Sequence, residues 1–271
     1  MTVTLTSTVS SSDSKLNGVV VTVKNTMTNE TQTQTWNGTP LVFKIPSVNT
    51  YTVSASSVFG YGTPVKLSYT AGVSTSRAVV ISYKYIPIGI YIYDTDGNFT
   101  KADDWKTANN GKAVGVSVRT ENSSFVIAPT YDSETKSWCK YNTTISGIVT
   151  STDSVTAKKD YAGELNTDKI IAQLGIGNAP AAEYCRSLTF KNGKKGYLWS
   201  LGEAYDAYSN KESINAAMSK IGGTEIQDDY EYWTSTQYSD NYAWTLLSGS
   251  VRGVSSKYKN NTNSVCVVCA F

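Results

Sequence analysis

The chain has no histidine, so neither a Ser-His nor a Cys-His nucleophile can be assembled from it. Its acids cluster at Asp103-Asp104 and at Asp228-Asp229-Glu231. Adjacent residues on exposed segments point apart, and loop solvation accounts for these acids better than proton transfer does. Asp94-Thr95-Asp96-Gly97-Asn98 has the composition of a calcium loop. Its glycine comes two positions early, however, and no Glu stands at the twelfth place, so a hairpin turn on Asp96-Gly97 is expected instead. Four cysteines, at 139, 185, 266 and 269, make no disulfide scaffold. Cys266 and Cys269 are three apart on an expected strand and so face opposite sides, and Cys139 and Cys185 form no second knuckle pair. Free thiols are expected, with Cys185 buried on a helix, and neither a metal nor a cofactor.

The residue types supply contact chemistry instead. Between Tyr230 and Asn263, 20 of 34 residues are Tyr, Ser, Asn, Thr or Asp, which is the mixture found on binding surfaces. Tyr gives broad amphipathic contact at low entropic cost, and the small polar residues give adaptable hydrogen bonds. A polar β-meander has a similar composition.

The elements that would carry this stretch can be read from pattern. Residues 1–16 read as an N-terminal tail, and Met1 to Thr8 have neither the basic nor the apolar region of a secretory signal. Residues 17–86 read as all-β, with strands Val19–Val23, Thr31–Trp36, Leu41–Ile45, Tyr51–Ala55, Val65–Tyr69 and Ala78–Tyr85. Asn37-Gly38, Asn49-Thr50 and Ala71-Gly72 punctuate them, and the spacing suggests a small sandwich. Pro87 marks a boundary. Strands Ile88–Tyr93, Ala113–Val118 and Ser124–Ala128 follow, and then helices. Asn166 or Thr167 is expected to cap the first, with Ile170, Ile171 and Leu174 inward and Gly175 at its end. Pro180 opens the second and Ser200-x-x-Glu203 is a capping box for the third. Ile214, Ala217, Met218 and Ile221 mark a fourth, stopped by Gly222-Gly223. The class is α+β.

Net charge is +2 with no basic run, so nucleic acid is not an indicated partner. No apolar run approaches the roughly eighteen residues a membrane span needs, so no insertion is expected.

Several segments resemble one family in order. Ile90-Tyr91-Ile92-Tyr93-Asp94-Thr95-Asp96-Gly97, Ala113-Val114-Gly115-Val116, Gly163-Glu164-Leu165-Asn166-Thr167-Asp168-Lys169-Ile170 and Gly196-Tyr197-Leu198-Trp199-Ser200-Leu201-Gly202-Glu203 precede Tyr232-Trp233-Thr234-Ser235-Thr236 and Asn241-Tyr242-Ala243-Trp244. Together, over residues 87–271, they resemble bacterial and phage surface proteins with a C-type-lectin-like fold, a fold also used by the variable proteins of diversity-generating retroelements. Trp199 stands where that family usually has Pro, and Cys266 and Cys269 where its last strand commonly carries Arg. Residues 17–86 resemble the immunoglobulin-like spacer modules of such surface proteins.

The resemblance implies a C-type-lectin-like domain behind an immunoglobulin-like sandwich, with Ile88–Tyr93 antiparallel to Val265–Phe271. It implies a ligand face of Tyr238, Ser239, Asp240, Asn241 and Tyr242 on a loop, and Ser248, Ser250, Arg252, Ser256 and Tyr258 on adjacent strands. Trp233 and Trp244 would brace that face from beneath. The calcium-dependent sugar triplets Glu-Pro-Asn and Gln-Pro-Asp are absent from the sequence, and the cysteine spacing does not suit the related formylglycine-generating enzymes. The implied function is receptor or ligand binding at a cell or virion exterior, to a protein or glycan on a target cell, and not catalysis. A structural surface or pilus-type subunit is the alternative.

Overall fold

The computed structural model describes residues 2–9, 14–62, 64, 66–71, 76–130, 134–249 and 253–271. It divides into two compact units, Met1–Ile86 and Pro87–Phe271.

Among its described residues the first unit has seven strands: β1 (Thr2–Val9), β2 (Val20–Asn25), β3 (Thr31–Thr35), β4 (Leu41–Pro46), β5 (Thr50–Ala55), β6 (Leu67–Thr70) and β7 (Arg77–Ile81). They form two sheets, in the orders β4-β1-β7 and β3-β2-β5-β6. Alternation explains the core. Val21 and Val23 of β2, Leu41, Phe43 and Ile45 of β4, and Tyr51 and Val53 of β5 are buried while their neighbours are not. The expected tail is a correction. Residues 2–9 are the middle strand of the smaller sheet, antiparallel to β4 with Val3 opposite Ile45, and parallel to β7. Without β1, both β4 and β7 would present open backbone edges toward each other. Val65 and Gly72, in the expected strand and turn, lie outside the described residues. The last strand stops at Ile81, and only Tyr85 beyond it makes an isolated bridge, to Tyr61.

In the second unit come β8 (Gly89–Asp94), β9 (Phe99–Thr100), β10 (Ala113–Arg119), β11 (Ser124–Ile127) and β12 (Lys136–Ser137). Helices α1 (Ser154–Ala157), α2 (Gly163–Leu174) and α3 (Pro180–Ser187), strand β13 (Gly196–Leu198), and helices α4 (Leu201–Ser209) and α5 (Lys211–Ile221) follow. The chain ends with β14 (Glu231–Gln237), β15 (Tyr242–Leu247), β16 (Val254–Tyr258), β17 (Thr262–Asn263) and β18 (Val267–Cys269). A mixed, β-rich α+β architecture results, with the helices between the strands. A six-stranded sheet runs β13-β18-β11-β10-β8-β9, and a three-stranded sheet runs β14-β15-β16. Every residue of β10 is buried, and α5 packs on β8 and β10.

The expected pairing of Ile88–Tyr93 with Val265–Phe271 does not occur. β8 pairs with β10 and β9, while β18 pairs with β11 and β13. Gly115 is what lets β10 and β11 close up, because a Cβ there would lie 2.1 Å from the Ile127 carbonyl. The two ends of the unit meet through rings instead: Phe271 packs edge-on against Tyr93 with centroids 5.3 Å apart.

The helix-end signals mostly hold. Pro180 is in the first turn of α3, Gly175 and Gly222 have positive φ at the ends of α2 and α5, and the Ser200/Glu203 capping box is formed. The start of α2 is a correction: it begins at Gly163, which places Asn166 and Thr167 inside the helix. Their side chains look inward. Thr167 Oγ1 donates to the Gly163 carbonyl at 2.8 Å and accepts from Leu198 N at 3.0 Å, and Asn166 Nδ2 donates to Asp160 Oδ2 at 2.8 Å. Ile170 and Leu174 are buried, whereas Ile171 is only partly so. Asp96-Gly97 is the turn of the β8–β9 hairpin, in which Asn98 N and Nδ2 both donate to the Asp94 carboxylate.

Candidate functional site

The foundation is β14, whose residues Tyr232 to Gln237 are all buried. Its polar groups are matched one by one, as buried polar groups must be. Thr236 Oγ1 donates to Asp160 Oδ2 at 2.7 Å and accepts from Leu201 N at 2.9 Å. Thr234 Oγ1 donates to the Trp244 carbonyl at 2.9 Å. Four indoles pin the surroundings. Trp138 Nε1 donates to Thr234 O, Trp199 Nε1 to Trp233 O, Trp233 Nε1 to Lys136 O and Trp244 Nε1 to Ser151 O, all at 2.8–2.9 Å. Trp233 and Trp244 are both buried, as bracing residues are.

Above this base the β14–β15 hairpin closes on itself. Tyr238 N and Ser239 N donate to the Tyr242 carbonyl, and Ser239 Oγ accepts from Asn241 N and Tyr242 N. Asp240 and Asn241 are exposed at the tip. Tyr242 lies opposite Tyr258 in the β15–β16 register, and Trp244 opposite Ser256. The Tyr242 and Tyr258 rings are 4.1 Å apart, and Tyr238 sits edge-on to Tyr242 at 6.0 Å and to Trp244 at 5.1 Å. A continuous aromatic row therefore runs Tyr258, Tyr242, Tyr238, Trp244. A hydrogen bond to Tyr258 raises the pKa of the Tyr242 phenol.

The structure thus brings together Tyr238, Ser239, Asp240, Asn241, Tyr242, Ser256 and Tyr258. Ser248 does not join them. It is 1% exposed at the far end of β15, where its N–H donates to Tyr230 O and its carbonyl accepts from Asp229 N. Ser250 and Arg252 lie outside the described residues.

Beside the aromatic row is a cleft of about 550 Å³. Tyr238, Trp244 and Val254 to Ser256 form one wall, and Thr152, Asp153, Ser154 and Lys158 the other. The second wall was not anticipated from sequence. Its signal was Asp153, which caps α1 by accepting from Val155 N, Thr156 N and Thr156 Oγ1; those bonds hold its carboxyl below the usual range. Lys158 follows α1, with its ammonium 3.7 Å from the Tyr205 ring centroid.

Lys259 is a second unanticipated residue. Fully buried, it donates from Nζ to Thr143 O at 2.6 Å and Gln237 Oε1 at 2.7 Å, over the Trp138 ring. Burial lowers its pKa from 10.5 to about 8. Of the clustered acids, Asp228 pairs with Lys211, and Glu231, on β14 and not on a loop, pairs with Lys257 at 2.8 Å and accepts from Thr245 Oγ1 at 2.6 Å. All four cysteines are buried free thiols whose pKa values burial raises. Among the described residues no group of three or more His, Cys, Asp or Glu could hold a metal ion, and no helix is long and apolar enough to cross a membrane. What the face offers is aromatic and hydroxyl contact.

The sequence matches no model of a known protein family, and no curated protein is significantly similar to it. Among solved structures there is a precedent. The fold resembles that of a bacterial fimbrial protein. That protein, from Bacteroides ovatus, is 11% identical to this chain; the match covers all of this chain and 70% of that one, with a TM-score of 0.52. The likeness is one of fold.

Proposed function

We propose that the chain is a surface protein whose C-terminal unit binds a ligand, a protein or glycan on another cell, through the β14–β16 face. The observation that carries this reading is the aromatic row Tyr258-Tyr242-Tyr238-Trp244 standing on a fully hydrogen-bonded base beside an open cleft. Tyr side chains on a rigid support are efficient hot spots because little freedom is lost when they are covered. The ordered motifs of residues 87–271 support a lectin-like kind of binding protein, an adhesin or the receptor-binding protein of a phage tail. The Tyr/Ser/Asn composition is what a retroelement-diversified face would carry. Comparing the codons of residues 230–263 with neighbouring DNA tests that point: a near-identical copy differing only at adenines supports it. Binding itself is tested by screening Tyr242→Ala and Tyr258→Ala against a library of surface proteins and glycans in which the unaltered chain finds a partner.

The fimbrial neighbour supports a second reading, a structural surface subunit whose polar face is solvated or meets other subunits. Concentration-dependent assembly of the purified chain, blocked by Tyr242→Ala, would favour it over ligand binding.

A further inference from the structure

We infer that the cleft between the Thr152–Lys158 segment and the β15–β16 face is a site for carbohydrate bearing an acidic group, with Lys158 selecting the acid. The inference rests on the binding-face reading above and narrows its ligand.

At about 550 Å³ the cleft falls in the size range of small-ligand sites. Such sites are mostly apolar, and this one is not. The hydroxyl residues Thr152, Ser154 and Ser256 line it, Ser256 lying on the Trp244 side of β16, and none of these three hydroxyls hydrogen-bonds another described residue. Polyhydroxylated ligands exchange hydrogen bonds with water for bonds with such groups at little net cost, provided an aromatic surface takes the apolar face of the ring. Tyr238 and the edge of Trp244 supply that surface, in mutual contact at 5.1 Å.

The two charges in the lining differ in availability. Asp153 is engaged as the cap of α1, its two oxygens accepting from Val155 N, Thr156 N and Thr156 Oγ1. Lys158 rests on the Tyr205 ring and makes no ion pair among the described residues. An ammonium held on an aromatic face, and in no ion pair, attracts an anion on the ligand. Carboxylate and sulfate share that chemistry.

The experiment is calorimetric titration of the full chain with oligogalacturonate, with sulfated dextran oligosaccharide and with uncharged maltohexaose. One anionic sugar at least is expected to bind about tenfold more tightly than maltohexaose, with affinity falling as salt rises. Which of the two binds separates carboxylate from sulfate. Lys158→Gln should remove the preference at unchanged melting temperature, Lys158→Arg should keep it, and Tyr238→Ala should weaken every sugar. Equal binding of maltohexaose, or a preference that survives Lys158→Gln, overturns the inference. So does failure of all three sugars to bind. If in that case Tyr242→Ala still abolishes binding of a protein partner, the carbohydrate inference falls while the binding-face reading stands; if no partner of either kind binds, both fall.

Discussion

Lys259 donates from Nζ to the side-chain oxygen of Gln237 at 2.7 Å, and neither residue is exposed to solvent. The Gln237 amide also accepts from Ile145 N and donates to Ile145 O and Thr150 Oγ1. One side chain thus ties the end of β14 to residues 145–150 and, through Lys259, to the chain leaving β16. The face carrying Tyr238 and Tyr242 is anchored from below at this point.

Gln237→Leu should therefore cost about 2–3 kcal/mol in urea unfolding, because it strips a buried ammonium of one acceptor. The pH dependence has a defined sign. The folded state holds Lys259 at about 8 against 10.5 when unfolded. Across that window the unfolded chain binds more protons, so this group makes stability rise with pH there. Lys259→Met should flatten the rise relative to the unaltered chain; an identical slope in both would show that Lys259 does not cause it.

Glu203 should act in the opposite sense. Burial raises its carboxyl from 4.5 to about 7, although it accepts from Ser200 N and Oγ and contacts the Tyr197 hydroxyl at 3.0 Å. Its contribution is complete below pH 4.5 and is lost as pH climbs through 7, because the folded state then holds the extra proton. Glu203→Gln keeps a side-chain oxygen that can accept in the cap but no longer titrates, so stability should cease to fall between those two pH values. Glu203→Ala should cost roughly 1–3 kcal/mol through the lost cap and unsatisfied Ser200.

Gly202→Ala tests how closely α4 sits on the chain before α2. A Cβ there would lie 2.5 Å from the Asp160 carbonyl and 2.8 Å from that of Lys158, both backbone atoms. Overpacking of about 1–3 kcal/mol should outweigh a helix-propensity gain of about 1 kcal/mol. A variant that melts higher than the original would show the approach is looser than described.

On the binding face, Tyr258→Ala and Tyr242→Ala should shift stability by about half a kcal/mol to one kcal/mol, since their rings lie on the surface and lose mainly each other. Trp244→Ala should cost about 3–5 kcal/mol as a buried aromatic. Equal losses in all three thermal melts would place the tyrosines in the core and remove them as contact residues.

Part of this was legible from residue types. The hairpin at Asp96-Gly97, Pro180 at a helix start, the Ser200/Glu203 box, and the glycines ending α2 and α5 are settled within a few residues of chain by capping and turn chemistry. Composition marked the Tyr/Ser/Asn-rich stretch that holds Tyr238, Tyr242 and Tyr258, and the family resemblance implied them as a face with Trp233 and Trp244 as its support. Asn166 and Thr167 misled, because a good capping residue is also a good buried hydrogen-bonder, and only the contacts with Asp160 and Leu198 distinguish the two roles.

Sequence by itself determined the α+β class, the helix ends other than the start of α2, the absence of histidine chemistry and the Tyr-rich stretch, since each is a local or compositional property. Tertiary structure alone decided which strand meets which: that β1 is a middle strand, that β10 and β11 stand between β8 and β18, and that Ser248 turns inward. It alone decided that Thr152 to Lys158 form the wall opposite Tyr238 and that Lys259 lies buried on Gln237. Those outcomes depend on strand register and on partners distant in sequence. Many apolar runs of similar length compete for each edge, and no short window of residues says which pairing satisfies every backbone group at once.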